Sequence, residues 1–265
     1  MNVFRKHREK TLAAEAAKAA AASGDGNMDT AKATNIYEQM LAQMAAHKVE
    51  LKGVQSLTAK AEKKAEFIPV YESYVEGILA ADEDVQDDVV VTIFVWAMDA
   101  GQFELALRIA EWALKYDLAP PPNFTRTIAT ILAEVIADTA LSDRDNIQNY
   151  LDVLEDTLDL VRDKDMPDQV KAKLYKALGF ANSKAFPEEA LEYLEQALKL
   201  NPRAGVKKDI KALEKTITDL SPAPVPAEGV QTEAVKAEVE TPSGGAAADK
   251  SEQPPVKQAA TDEQQ

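Results

Sequence analysis

The chain contains no cysteine and, among its 265 residues, only two histidines, His7 and His47. Without cysteine, a disulfide framework and a thiolate nucleophile are excluded. A zinc site of the usual Cys/His kind is excluded as well, because it takes three or four such ligands. A Ser–His–Asp arrangement would have to use one of the two histidines, and both lie in weakly structured or surface-type segments. Catalysis by these residue types is therefore not expected.

Long apolar runs and glycine-rich loops are also missing from the sequence. No stretch approaches the roughly 20 apolar residues that a helix needs to cross a membrane. The N-terminus is basic but lacks the continuous apolar core of a signal peptide. Without a glycine-rich phosphate-binding loop, we expect no ATP hydrolysis by this chain. Together with the lack of cysteine, these absences predict a soluble cytoplasmic protein.

Charge and composition narrow the function classes further. The formal net charge of −15 argues against a chain that coats DNA indiscriminately, because phosphate binding needs concentrated lysine and arginine. A local basic patch is still compatible with this charge. Alanine is abundant, aromatic residues make up 6% of the chain, and glycine is sparse between residues 28 and 220. This composition favours packed helices.

Three zones of different composition divide the chain. Residues 1–34 are rich in alanine and begin with a basic run, so we expect an N-terminal arm that is a frayed helix or disordered. Residues 221–265 form an acidic zone rich in Pro, Ala and Glu, without any aromatic residue, Leu or Ile. Such a tail cannot bury enough apolar surface to offset its ordering entropy, so we expect disorder there. The folded part is then a helical core domain over residues 35–220.

Nearly every segment of this core has the apolar spacing of a helix. The run "VVVTIFVWAM", Val89–Met98, is ambiguous because β-branched residues favour strands. We predict a buried helix here, since no partner strand is evident and a helix that is apolar on all sides is one packed in the middle. Later helices are predicted at about 103–116, 124–141, 145–162, 168–182, 187–200 and 204–220.

Two segments of the core repeat at an offset of 84 residues. Gly101–Asp117 aligns with Ala185–Asn201, and alanines occupy matching positions in both. Small residues at these positions let two helices approach closely, as in tetratricopeptide-type hairpins. The period is not that of a regular array. We therefore expect an all-α fold, built as an irregular, tetratricopeptide-like stack of helical hairpins.

The last predicted helix, "GVKKDIKALEKTITDL", places apolar residues at alternating steps of four and three. These residues are Val206, Ile210, Leu213, Ile217 and Leu220. The spacing is that of a coiled-coil seam. Two interpretations stay open, and we favour a terminal helix that lies on the stack over a helix through which two copies associate.

The acidic run "DEDVQDDVV", Asp82–Val90, lies at the start of the most apolar segment. Converging carboxylates can bind a divalent metal and cut phosphodiester bonds. Acidic side chains in a first helical turn also accept hydrogen bonds from free N–H groups and complement the helix dipole. Asp87 and Asp88 would lie about 100° apart around the axis, which is not a chelating arrangement. We favour the structural interpretation, keep Asp87 and Asp88 as weak catalytic candidates, and predict no metal site.

Basic residues form three groups that could contact nucleic acid. The N-terminal group is the best candidate, because four cations in six residues on a flexible arm can follow a phosphate backbone. Ordinary solvated helix faces are the simpler explanation of the other two groups. The DNA-binding candidates are Arg5, Lys6, Arg8, Lys10, Lys60, Lys63 and Lys64, and the third group consists of Lys207, Lys208 and Lys211.

Four runs of the sequence carry a family resemblance. They are "YEQML" (Tyr37–Leu41), "QDDVVVTIFVWAMDAGQFELALRIAEWALKYDL" (Gln86–Leu118), "DMPDQVKAKLYKALG" (Asp165–Gly179) and "AGVKKDIKALE" (Ala204–Glu214). In composition, order and approximate spacing they resemble the small terminase subunit of peduovirus-type temperate tailed phages, traditionally called the terminase endonuclease subunit. The second run carries most weight, because it is long and its order of polar, aromatic and small residues is unusual. The resemblance covers about 35–215.

The resemblance implies a role in packaging viral double-stranded DNA. In this family the small subunit recognises the cohesive-end site, acts with a large ATPase subunit in the host cytoplasm, and is needed for the cut that starts packaging. Small terminase subunits commonly form rings, so a homo-oligomer is implied. Terminases in general house their nuclease in the large subunit. We therefore expect that this chain is required for cutting without cutting alone, with no cofactor of its own and any magnesium ion in the holoenzyme.

Two departures from the family pattern change where DNA contact is expected. Relatives often end in a tail rich in Lys and Arg, whereas residues 221–265 contain eight acidic residues and three lysines. The loop Ala119–Thr127 contains a single charged residue, Arg126. DNA contact therefore shifts to the N-terminal arm and the Lys60–Lys64 face. Three functions stay open: a DNA-recognising terminase subunit, a metal-dependent endonuclease acting by itself, and a tetratricopeptide-like adaptor that binds protein partners alone.

Overall fold

The fold is seen in a computed structural model that describes residues 3–22, 28–122 and 124–220. Every regular element in these ranges is a helix, which confirms the all-α prediction. The helices are α1 (Val3–Ala22), α2 (Met28–Lys52), α3 (Leu57–Ala81), α4 (Asp88–Asp99), α5 (Phe103–Lys115), α6 (Ile128–Ser142), a 3-10 helix (Arg144–Tyr150), α7 (Leu151–Val161), α8 (Asp168–Asn182), α9 (Pro187–Leu200) and α10 (Lys207–Leu220). None of the described helices is both long enough and apolar enough to cross a bilayer.

Helix α4 lies at the centre of the N-terminal half of this arrangement. Every residue from Val89 to Met98 is buried, and α4 packs against α2, α3, α5 and α6. A helix without a polar face is stable only when neighbours cover it on all sides, because each exposed aliphatic side chain would lose about 1.5–3 kcal/mol of burial. The predicted buried helix is therefore confirmed.

The remaining helices continue outward from α4 as a chain of neighbours. Helix α6 packs against α5, α7 and α8, then α8 packs against α9 and α9 against α10. The two repeated segments correspond to α5 and α9, and their matching alanines, Ala106 with Ala190 and Ala113 with Ala197, are all buried. The common sequence pattern thus marks two helices with the same small-residue packing face. That the stack of helices is tetratricopeptide-like stays a prediction.

Helix α1 occupies residues 3–22 of the N-terminal arm that we expected to be a frayed helix or disordered. Ala13, Ala16 and Ala17 are buried, and α1 packs against α2 and α3. These small side chains let α1 approach α3 closely. Opposite them α3 has Gly77, which has no side chain to hold α1 away. The expected tail, residues 221–265, lies outside the described residues.

Helix α10 lies on α9 through the first part of its apolar seam. Val206, Ile210 and Leu213 are buried, whereas Leu220 is 69% exposed. This packing agrees with the interpretation of α10 as a terminal helix on the stack.

We expect Gly77→Ala to loosen α1 from α3, even though alanine favours a helix. A Cβ atom at residue 77 would lie 2.4 Å from the Lys10 carbonyl oxygen and 2.6 Å from the Ala13 Cβ, so the helices must separate. The unfolding free energy should fall by about 1–3 kcal/mol in urea denaturation, and proteolysis within α1 should accelerate. Gly53→Ala is the matched control, because its Cβ would meet the Glu50 carbonyl oxygen at an ordinary 3.4 Å. Equal stability of the two variants would contradict the close packing.

Candidate functional site

The acidic run between α3 and α4 starts as the end of a helix. Asp82 is the C-cap of α3 in the left-handed region, with φ of 53°, and its N–H donates to the Ile78 carbonyl oxygen. Its carboxylate forms an ion pair with Lys115 at 2.5 Å. This pairing lowers the pKa of Asp82. The first acid of the run is thus used to close α3 and to bind α5.

Asp87 starts the next helix, as the sequence predicted. Its Oδ1 accepts hydrogen bonds from the N–H groups of Val89 and Val90, each at 2.9 Å, and its Oδ2 accepts one from the Tyr74 hydroxyl at 2.5 Å. The residue is 4% exposed. Burial raises the pKa of Asp87, although the three hydrogen bonds oppose that rise. Both carboxylate oxygens are therefore occupied by donors of the protein itself.

The segment between Asp82 and Asp87 is fastened to α5 and the loop after it. The Trp112 indole N–H donates to the Glu83 carbonyl oxygen at 3.2 Å. The Gln86 side chain accepts from the Ala119 N–H at 2.9 Å and donates to its carbonyl oxygen at 3.1 Å. In the described residues, no three His, Cys, Asp or Glu side chains are grouped so that they could hold a metal ion. The acidic run is thus built as two helix caps joined by an anchored loop.

The N-terminal DNA-binding candidates lie on α1, beside two carboxylates of α3. Lys6 pairs with Glu72 at 2.8 Å, and Lys10 pairs with Glu76 at 3.0 Å. The hydrogen bond that Lys6 donates to Glu72 raises the pKa of Lys6. The exposed Arg8 lies between these two lysines in sequence. The side chain of Arg5 lies outside the described part of the chain.

The second group of candidates lies in the first turns of α3. Lys63 pairs with Glu50 at 3.0 Å and stands over the Phe67 ring, 5.2 Å from its centroid. Lys64 pairs with Asp99, and Lys60 is half-buried. The structure therefore places both candidate groups along α3, but carboxylates neutralise four of these cations. Their assignment to DNA stays a prediction.

A largely buried aromatic cluster lies beneath the second group, and no sequence pattern indicated it. The His47 ring stacks on Phe67 with centroids 3.9 Å apart, and its Nδ1 lies 2.8 Å from the Tyr71 hydroxyl. Trp96 of α4 completes the cluster, 6.4 Å from His47. Burial lowers the pKa of His47, while the charge of Glu50 opposes this shift and the smaller effect of Lys63 adds to it. His47 is thus a core residue that joins α2, α3 and α4, and not the surface histidine that we expected.

Asp87→Ala is expected to destabilise the fold more than Asp88→Ala. It removes the cap of α4 and leaves the buried Tyr74 hydroxyl without its acceptor, a loss of about 2–4 kcal/mol. Asp87→Asn keeps an acceptor oxygen and should lose less. Asp88→Ala removes a half-buried first-turn carboxylate, worth less than about 1 kcal/mol. Urea denaturation of the three variants measures the order, and similar losses at both positions would refute the cap.

The lowered pKa of His47 predicts a loss of stability in mild acid. Because the folded pKa lies below the unfolded value of about 6.5, the unfolded chain binds more protons as the pH falls, so the unfolding free energy decreases. In His47→Gln this contribution is absent. Denaturation at pH 8 and pH 5 should therefore show a smaller decrease for the variant than for the wild-type chain. An identical decrease would show that His47 titrates normally.

Comparison with known proteins connects these features to a family. Residues 41–169 match the family described as phage small terminase subunit. A protein of Escherichia phage P2, named "Terminase, endonuclease subunit", is 38% identical to the chain over 195 residues, which are 72% of this chain and 77% of that protein. No solved structure matches. The identity extends over most of both chains, and on this ground the chain belongs to the phage small terminase subunit family.

Proposed function

We propose that this chain is the DNA-recognising subunit of a phage terminase. It binds viral double-stranded DNA at the cohesive-end site and works with a large ATPase subunit in cleavage and packaging in the host cytoplasm. The observation that carries the proposal is the 38% identity to the phage P2 terminase subunit over 77% of that protein. By the same likeness we propose that several copies assemble into a homo-oligomer.

The proposed division of labour leaves the cutting chemistry outside this chain. The carboxylate of Asp87 accepts three protein hydrogen bonds, and that of Asp82 is paired with Lys115. Recruiting these groups to a metal would require breaking the caps of α3 and α4. We therefore propose that the chain is required for the cut without making it alone, and that any magnesium ion acts in the assembled holoenzyme.

Within the candidate DNA-binding residues, the structure supports a ranking. Lys6, Lys10 and Lys63 each face a carboxylate within 3.0 Å. A phosphate would have to compete with these carboxylates, so each paired lysine contributes less to DNA binding than a free one. Among the described side chains, Arg8 and Lys60 have no carboxylate partner. These two residues are the stronger contacts in this proposal.

Deleting residues 1–34 would not test DNA contact cleanly. Helix α1 buries Ala13, Ala16 and Ala17. Its removal would also expose the part of α3 that these alanines cover, so a loss of binding could reflect a damaged fold. Point substitutions on the outer face of α1 and in the first turn of α3 avoid this problem.

The expected result is salt-sensitive binding that depends on the unpaired cations. The wild-type chain should bind a cohesive-end fragment with an affinity that falls as salt rises. The slope of the logarithm of the association constant K against the logarithm of the salt concentration is negative. R8Q/K60Q should reduce its magnitude by about 1–2, since each phosphate contact contributes about 0.9. K6Q/K10Q, with the same change in charge, is the matched control and should lower it less. Electrophoretic mobility shifts at 50–200 mM salt would measure the slopes.

Two further outcomes would redirect the proposal. Absence of DNA binding by the wild-type chain at low salt would favour an adaptor that holds protein partners alone. Magnesium-dependent nicking by the purified chain without the large subunit, abolished in a folded Asp87→Asn variant, would show that the acidic run is a nuclease site.

A further inference from the structure

The outer surface of α10 carries a face of lysines opposite its buried seam. Val206, Ile210 and Leu213 are buried, and α10 packs against α9. At 3.6 residues per turn, four exposed lysines fall within a sector of roughly 100° on the other side of the helix. They are Lys207, Lys208, Lys211 and Lys215, here named the α10 lysine face. This face extends the third basic group of the sequence by one residue.

None of the four lysines of the α10 lysine face forms an ion pair within the described part of the chain, whereas most cations of the other two basic groups do. Lys6, Lys10, Lys63 and Lys64 are all paired with carboxylates of neighbouring helices. Among the described residues, the four lysines of α10 have no carboxylate within ion-pair distance. Asp209, the acid in the same first turn, is 3.9 Å from Arg144 instead. Between residues 199 and 215 there are six cations and two acidic residues, in a chain of net charge −15. The segment is thus a local positive surface.

The placement of these lysines is unfavourable for α10 as an isolated helix. Lys207 and Lys208 occupy its first turn, where the helix dipole carries positive partial charge. Lys207, Lys211 and Lys215 follow one another at intervals of four residues, which brings like charges together on one face. A polyanion bound along the helix would relieve both repulsions. Such local conflicts are expected at functional surfaces.

The spacing of the face suits a phosphate backbone better than a protein partner. Lysines four residues apart are about 6 Å apart along the helix axis, which is close to two successive steps of about 3.4 Å along one DNA strand. Long lysine stems let each ammonium group reach a separate phosphate as a point charge. No aromatic or aliphatic side chain interrupts the four lysines within the exposed sector. A surface that contacts DNA through charge alone binds the phosphate backbone. Such contacts position the protein on the DNA but do not recognise the base sequence.

We propose that the α10 lysine face is a contact surface for the DNA backbone. The proposal rests on the proposed function as a DNA-binding subunit, and it adds a site at the end of the helical stack remote in sequence from α1 and α3. The face supplies sequence-independent affinity, so it holds DNA outside the cohesive-end site as well as within it.

The test compares two pairs of substitutions with the same loss of charge. K207Q/K211Q removes two cations of the face, and glutamine keeps the helix propensity of lysine. K115Q/K173Q removes the exposed Lys115 and the half-buried Lys173, which are already paired with Asp82 and Asp138. Binding of wild type and variants to a random-sequence duplex is measured across 50–200 mM salt, and circular dichroism checks that each variant is folded.

For K207Q/K211Q we expect the slope of log K against log salt to fall by about 2 and the affinity at 100 mM salt to fall about tenfold or more. K115Q/K173Q should keep wild-type affinity. A folded K207Q/K211Q variant with wild-type slope would overturn the proposal while leaving the proposed function intact. The same variant binding DNA normally but failing to associate with the large subunit would show a protein-docking face instead. A wild-type chain without DNA affinity would overturn both.

Discussion

The fold depends on one buried carboxylate at the start of its most apolar helix. Helix α4 has no polar face, so it can exist only where neighbours cover it, and its first N–H groups then lie away from water. Asp87 satisfies two of those groups and is itself held by the Tyr74 hydroxyl of α3. Burying the carboxyl group of Asp87 costs desolvation free energy, and its hydrogen bonds to Val89, Val90 and Tyr74 offset this cost. The contact thereby fixes the entry of α4 relative to α3.

This use of Asp87 decides how the acidic run contributes to function. Asp82 closes α3 in a left-handed turn and pairs with Lys115, while Trp112 and Gln86 anchor the intervening loop to α5 and the loop that follows α5. Carboxylates engaged in this way stabilise helix ends rather than gathering around a common centre. This arrangement is compatible with the proposed function, in which the chain recognises DNA and the cut is made by the assembled terminase.

Ion pairing separates basic residues that look alike in the sequence. Lysines of α1 and α3 form ion pairs with carboxylates of neighbouring helices. The carboxylates belong to Glu72, Glu76, Glu50 and Asp99. Exposed pairs of this kind contribute little to stability, about 0–1 kcal/mol each. They do reduce the charge that a phosphate would meet. The lysines of α10 stand apart in this respect, because the face of α10 that carries them is turned away from α9.

The sequence by itself determined the helical class, the burial of Val89–Met98 and the cap at Asp87, because local spacing and composition encode these features. Its resemblance to a known family, and not its spacing, indicated the family. It could not show that residues 3–22 pack on α3, since that contact depends on Gly77 meeting the alanines of α1 across more than 60 residues of chain. Nor could it reveal the stacking of His47 on Phe67. Which charged side chains form ion pairs, and which aromatic rings stack, depends on which helices become neighbours. Only the tertiary structure decides that, because side chains distant in sequence meet through the packing of α4 and the helices around it.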